Sequence, residues 1–139
     1  MVKIRAYKPS DYSGVKRALV EGGLFDKIWD SEKNLSKKIR ISPGSILVAE
    51  GRGGIVGCAY TVSDGWEGFV FRLAVGSAHR RHGIGAKLLE RAHAWLKRKG
   101  VREVCIFVDA RSGKLARYYN KRGYKVYGRH PYNLMVKKL

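Results

Sequence analysis

The segment Leu73–Leu89, reading LAVGSAHRRHGIGAKLL, restricts the chain more than any other stretch. It runs from the apolar end of a strand through a basic loop with Gly76, Gly83 and Gly85 into an amphipathic helix. Ile84, Leu88, Leu89, Ala92, Trp95 and Leu96 recur at helical spacing, which places Trp95 in the core. Lys87, Glu90, Arg91, Lys97 and Arg98 fill the opposite face, and Gly100 stands at the C-terminal stop. The first backbone N–H groups of such a helix have no intrahelical acceptor, and the helix dipole favours an anion beside them. Gly83 and Gly85 let a ligand approach the backbone, and Arg80 and Arg81 add positive charge. A diphosphate suits this loop. The dinucleotide pattern G-x-G-x-x-G fails at Leu88, and no glycine precedes Lys-Ser or Lys-Thr as a P-loop requires.

The flanking sequence supplies the layers. Val2–Tyr7 alternates as a first strand, and Pro9-Ser10-Asp11 starts a helix with Val15, Leu19 and Val20 on one face, ending near Gly22-Gly23. A second helix starts at Ser31, with Leu35 and Ile39 inward, and Pro43-Gly44 makes a turn. Three strands follow, Ile46–Ala49, Ile55–Val62 and Phe69–Val75, joined by short turns that make them an antiparallel meander. After the long helix, Val104–Val108 reads as a covered central strand. A short helix spans Gly113 to Arg122, and two last strands run about Tyr124–Tyr127 and Tyr132–Val136. The expected fold is an α/β (α+β) single domain over residues 1–139. Its mixed, mostly antiparallel sheet has about seven strands and is flanked by about four helices.

Composition bounds the function. The 139 residues include 29 Lys and Arg against 11 Asp and Glu, a net charge of +18 that attracts phosphates, nucleic acid or acidic peptides. No apolar stretch is long enough for a membrane span, and the charged N-terminus does not read as a signal peptide. Cys58 and Cys105 lie in strand-like runs without close Cys or His partners, which reads as two buried free thiols of a cytoplasmic protein and no zinc site. His79, His82 and His93 sit in a basic context that argues against a metal. Glutamine is absent and asparagine occurs only at Asn34, Asn120 and Asn133, a composition expected of a thermophile.

The Arg80-x-x-Gly83-x-Gly85 pattern follows a strand and is joined by Leu88-Leu89 inside the helix. With Tyr119-Asn120-Lys121-Arg122-Gly123-Tyr124 on the later short helix, it resembles the GNAT superfamily of acetyl-CoA-dependent N-acetyltransferases. The likeness is sharp from Leu73 to Tyr124 and extends in element order from Ile4 to Val136. It implies that the backbone of Leu73, Ala74 and Val75 pairs with the pantetheine amides. Arg80, Arg81, His82, Gly83, Ile84, Gly85 and Ala86 would surround the diphosphate of acetyl-CoA, with no metal. The family's sheet splays between the strand ending at Val75 and the one ending near Val108, and the thioester would lie in that gap. Tyr119 matches the tyrosine beside the CoA sulfur, where its phenol either protonates the leaving thiolate or packs under the cofactor. Ser112 stands where many relatives carry an asparagine that touches the cofactor, and it either replaces that contact or only caps the helix at Gly113.

The general base is not evident. Val104–Val108 has no carboxylate, Arg72 occupies the strand before the loop, and Asp109 is the remaining candidate beside a water chain to solvent. Deprotonating a lysine amine near neutral pH costs about 4–5 kcal/mol, and an α-amine only about 1 kcal/mol. A site without a clear base therefore leans towards an α-amine acceptor, such as a protein or peptide N-terminus, or another low-pKa small amine. The net charge of +18 leans towards acidic acceptors. Attack would be direct, in a ternary complex, because no Cys or Ser nucleophile stands beside a base. The other reading of the charge is a CoA-fold binding module held on nucleic acid or a ribosome without turnover. Residues 22–44 and 125–133, with Tyr124, Tyr127 and Tyr132, would wall the acceptor cleft. Cross-strand packing is the alternative for those tyrosines.

Overall fold

Three strands in series form the meander: β2 (Ile46–Gly51), β3 (Gly54–Ser63) and β4 (Gly68–Val75). They pair antiparallel, β1 (Lys3–Ala6) adds antiparallel to β2, and β5 (Val104–Cys105) adds parallel to β4. The order is β1-β2-β3-β4-β5. The structure, a computed structural model, describes residues 1–126 and 133–139. The chain forms two units, Met1–Ile106 and Phe107–Leu139.

In the first unit, α1 (Tyr12–Glu21) follows a single turn of 3-10 helix at Pro9–Asp11. In α2 (Glu32–Ile41), Ser31 Oγ accepts the Asn34 amide at 3.2 Å, the cap that the sequence places there. Val15, Ala18 and Leu19 of α1 and Leu35 of α2 bury against Ile46, Val48, Cys58, Tyr60 and Ala74. The long helix α3 (Ile84–Arg98) buries Leu88, Leu89, Ala92, Trp95 and Leu96. A Cβ placed on Gly57 would lie 3.2 Å from Leu88, whereas the next residue, Cys58, belongs to the core under α1 and α2. Successive strand residues point to opposite faces, so α3 covers the other side of the sheet. Trp95 is 7% exposed and has the Lys99 ammonium 5.0 Å above its ring, so it is a core residue.

The second unit carries α4 (Gly113–Asn120), two residues shorter than expected, followed by Gly123 at φ +90°. Among the described residues the sheet has five strands, where about seven were expected. The expected central strand is limited to Val104–Cys105, which among the described residues pairs only with Gly68 and Phe69. Phe107, expected inside a covered strand, is 84% exposed. The last expected pair of strands falls partly on residues 127–132, which lie outside the described residues; 124–126 and 133–136 are not strand. Cys58 is a buried free thiol as read, but Cys105 is exposed, because the short β5 leaves its side chain uncovered.

Candidate functional site

The basic loop lies wholly in the first unit. Gly83 takes φ +76° with no atom within 4 Å of where a Cβ would stand, and it caps α3 without a side chain. No side-chain oxygen therefore takes the amides of Ile84, Gly85 and Ala86, which helix geometry leaves without carbonyl partners. Arg81 also has a positive φ, +66°, so the chain turns sharply on both sides of His82. Arg81, His82 and Gly83 are exposed, and Gly85 and Ala86 are half-buried. The loop thus presents a row of amides at the positive end of a 15-residue helix, an anion site made of backbone.

Arg80 does something the sequence did not indicate. Its Nε donates to Val75 O at 3.0 Å and its Nη2 to Glu21 O at 3.1 Å. Glu21 in turn accepts the Ser77 amide on Oε2 at 2.6 Å, and that hydrogen bond holds its carboxyl below the usual range. Gly76 N donates to Val56 O at 2.8 Å. Arg80 and Glu21 latch the loop to the end of α1, and the guanidinium spends these donors on backbone carbonyls of the fold.

Leu73, Ala74 and Val75 end β4. Past Phe69, no strand of the described residues pairs with the outer edge of β4, so that backbone edge is open. A bulge sits in the middle of it. Cys58 faces Ala74 and Tyr60 faces Phe71, so Ala59 is opposed by both Arg72 and Leu73. Arg72 takes φ +55°, rare for a residue with a side chain, and bulges of this kind recur beside active sites. Its side chain is clamped, because Arg72 Nε donates to Asp30 at 3.1 and 3.2 Å. Asp30 is 1% exposed and also accepts the Asp26 amide at 2.8 Å. A carboxylate thus lies beside the strand where the sequence showed only arginine, delivered from the α1–α2 connection.

Asp30 and Arg72 belong to a pocket of about 530 Å³ between α2, β3 and β4. Lys38 reaches into its wall, donating to Thr61 O at 2.6 Å with Nζ 5.5 Å from the Phe71 ring centre. Burial alone pulls its pKa from 10.5 down to about 8. Asp30 was not singled out in the sequence, and the run Lys37-Lys38-Ile39-Arg40 reads there as a solvated helix face. The half-buried Lys38 overturns that reading, because its ammonium turns in to Thr61 O beside the Phe71 ring.

In the second unit, Tyr119 packs edge-on against Tyr118 at 5.1 Å and Tyr124 at 5.6 Å. Burial, then the neighbouring Tyr118, pushes its phenol up to about 12, so it keeps its proton at neutral pH. Ser112 Oγ accepts the Leu115 amide at 3.2 Å, which is the capping role. Asp109 is bound by Arg111 through both the side chain, at 3.0 Å, and the amide, at 2.9 Å, which holds its carboxyl below the usual range and weakens it as a base. No cluster of three or more His, Cys, Asp or Glu side chains that could hold a metal forms among the described residues. Nor is any described helix long and apolar enough to cross a membrane.

Comparison with known proteins agrees with this geometry. The chain is 26% identical over 125 residues to an acetyltransferase of Sodalis glossinidius (strain morsitans), covering 90% of this chain and 88% of that protein. Its fold is similar to Ard1 from Thermoplasma volcanium, with a TM-score of 0.79 and 21% identity over 91% of this chain and 84% of that one. It is also similar to the PaiA N-acetyltransferase from Thermoplasma acidophilum, solved in complex with coenzyme A, with a TM-score of 0.76 and 21% identity over 91% of both chains. The acetyltransferase (GNAT) domain family matches residues 42–126, which include the basic loop, the β4 bulge and Tyr119, and the chain belongs to that family of acetyltransferases.

Proposed function

We propose that this acetyltransferase takes the acetyl group from acetyl-CoA and passes it to a primary amine by direct attack. The observation that carries the reading is the row of uncapped amides at Ile84–Ala86, in a loop that Arg80 and Glu21 latch at the end of β4. The diphosphate would take those amides. The pantetheine arm would run back along Val75, Ala74 and Leu73 as an added strand, bringing the thioester towards the bulge at Arg72.

The amine nitrogen attacks the thioester carbon, the C–S bond breaks, and the CoA thiolate takes a proton. Tyr119 is the proposed donor, since its phenol is protonated at neutral pH. Asp109 is the sequence candidate for the base. Its pairing with Arg111 lowers its basicity, so the acceptor ammonium loses its proton to solvent water before the neutral amine attacks. Without a strong base, an acceptor amine of low pKa, such as an α-amine, reacts at the smallest cost, about 1.4 kcal/mol for each pKa unit above the working pH.

Calorimetry with acetyl-CoA tests the reading. Binding should be present in the wild type and at least tenfold weaker in Gly83→Asp, whose carboxylate would compete for the helix N-terminus. Equal affinity in the two proteins would refute the loop assignment.

A further inference from the structure

The pocket between α2, β3 and β4 has a chemical bias. Its walls are Phe71 and Val62 with the exposed faces of Trp29 and Ile41, which are 71% and 72% exposed. At about 530 Å³ it has the size of a small-molecule site. Exposed aromatic and aliphatic groups gathered around one opening mark a binding surface.

One charged group inside lacks a counter-charge. The Lys38 ammonium is half-buried with a carbonyl, Thr61 O, as its hydrogen-bonding partner, and no carboxylate of the described residues lies within ion-pairing distance. Asp30, the acid in the pocket wall, is already held by Arg72 and the Asp26 amide. The Tyr60 hydroxyl, in a residue 2% exposed, has that same Asp30 carboxylate beside it as an acceptor. A half-buried cation without a counter-charge is costly. An anion in the pocket would supply that counter-charge. The remaining charged group of the wall, Lys37, is also basic, and the whole chain carries +18.

The pocket shares Phe71 and Arg72 with β4, whose next residues, Leu73–Val75, carry the pantetheine arm and bring the thioester towards Arg72 in the function proposed above, and the present inference rests on that reading. We propose that the acceptor is an amine with a carboxylate a few bonds away and an apolar body, and that this pocket holds its carboxylate on Lys38. The apolar body would lie on Phe71 and Trp29, leaving the amine directed at the β4 bulge.

Such a carboxylate has two sources, a free amino acid or an acidic first residue of a peptide. Thiol release at saturating acetyl-CoA separates them with two matched pairs: L-phenylalanine against 2-phenylethylamine, and the amidated peptides Asp-Phe-Ala against Asn-Phe-Ala. In at least one pair the carboxylate-bearing amine should show a kcat/KM at least tenfold higher. That preference should shrink with added salt and vanish in Lys38→Met, which keeps the apolar stem. Lys38→Arg should retain part of it. The preference should also fall as the pH rises through about 8, where Lys38 loses its proton; Tyr60, Lys37 and the Asp30–Arg72 pair face the same space. Equal kcat/KM within both pairs, a preference that survives in Lys38→Met, or turnover of none of the four amines by protein that binds acetyl-CoA in the calorimeter would each overturn the inference. Loss of acetyl-CoA binding itself would instead overturn the parent function.

Discussion

Replacing Asp30 by alanine removes the clamp on the β4 bulge, and the structure sets the size of the effect. The Asp30 side chain is 2% exposed and that of Arg72 is 25% exposed. Breaking a buried pair from one side costs about 3–5 kcal/mol because the other charge is left uncompensated. Arg72 keeps a quarter of its surface in water, so the lower end applies, about 3 kcal/mol. The Asp26 amide also loses its acceptor, but it lies in a half-exposed residue and adds little. For a chain of this length about 3 kcal/mol corresponds to a fall in Tm of roughly 10 °C. Arg72→Ala should cost more, because it strands a carboxylate that is almost fully buried. The double variant should cost less than the sum of the singles by about 1–3 kcal/mol. Arg72→Gly should be about 1 kcal/mol more stable than Arg72→Ala, since glycine accepts a φ of +55° without strain. Urea unfolding followed by circular dichroism measures all four variants. An Asp30→Ala protein within 0.5 kcal/mol of wild type, roughly the ordinary scatter of a surface substitution, would refute the clamp, as would strict additivity of the two singles.

Three further outcomes are expected. Glu21→Ala frees the Ser77 amide and half of the latch on the loop, so acetyl-CoA affinity should fall several-fold while Tm changes little; calorimetry and a thermal scan separate the two. Tyr119→Phe should lower kcat about tenfold or more and leave acetyl-CoA affinity nearly intact, and unchanged turnover across pH would reduce its role to packing. Lys38 has a folded pKa of about 8 against the ordinary 10.5, so between these values the unfolded chain holds a proton that the native chain has lost. Stability should therefore rise with pH across that window, and the difference between wild type and Lys38→Met, measured by urea unfolding at pH 7, 9 and 10.5, isolates the effect; a flat difference counts against burial of the amine.

Much of the first unit was legible because each of its elements has a local cause. Ser31 caps α2 with its own hydroxyl, the heptad-like spacing of Leu88, Leu89, Ala92, Trp95 and Leu96 dictates the buried face of α3, and short glycine turns force the meander. The strand Val104–Val108 was misjudged because a continuous apolar run records only that something covers the strand. It does not say how long a neighbour is available, and among the described residues β5 finds a partner only along Gly68 and Phe69. Cys105 followed the same error to the surface.

The anion loop and the acceptor pocket differ in legibility for a physical reason. A helix N-terminus is a local object: its donors are consecutive amides, so Arg80 to Ala86 announce it within seven positions of sequence. The pocket is assembled across the sheet. Asp30 comes from the α1–α2 connection, Lys38 from α2, Tyr60 from β3, and Phe71 and Arg72 from β4, with 42 positions between Asp30 and the arginine it holds. No spacing rule links such residues, and their meeting depends on the bulge that turns Arg72 to a positive φ. The same bulge precedes Leu73–Val75, the backbone proposed for the pantetheine arm, and it turns the clamped Arg72 into the pocket wall. A shift of that register by one residue would send Phe71 to the opposite face of the sheet and remove the wall on which Lys38 rests. If the acceptor binds as proposed above, Arg72 stands between the donor and acceptor sides, and substitutions at Asp30 should then change acceptor KM as well as stability.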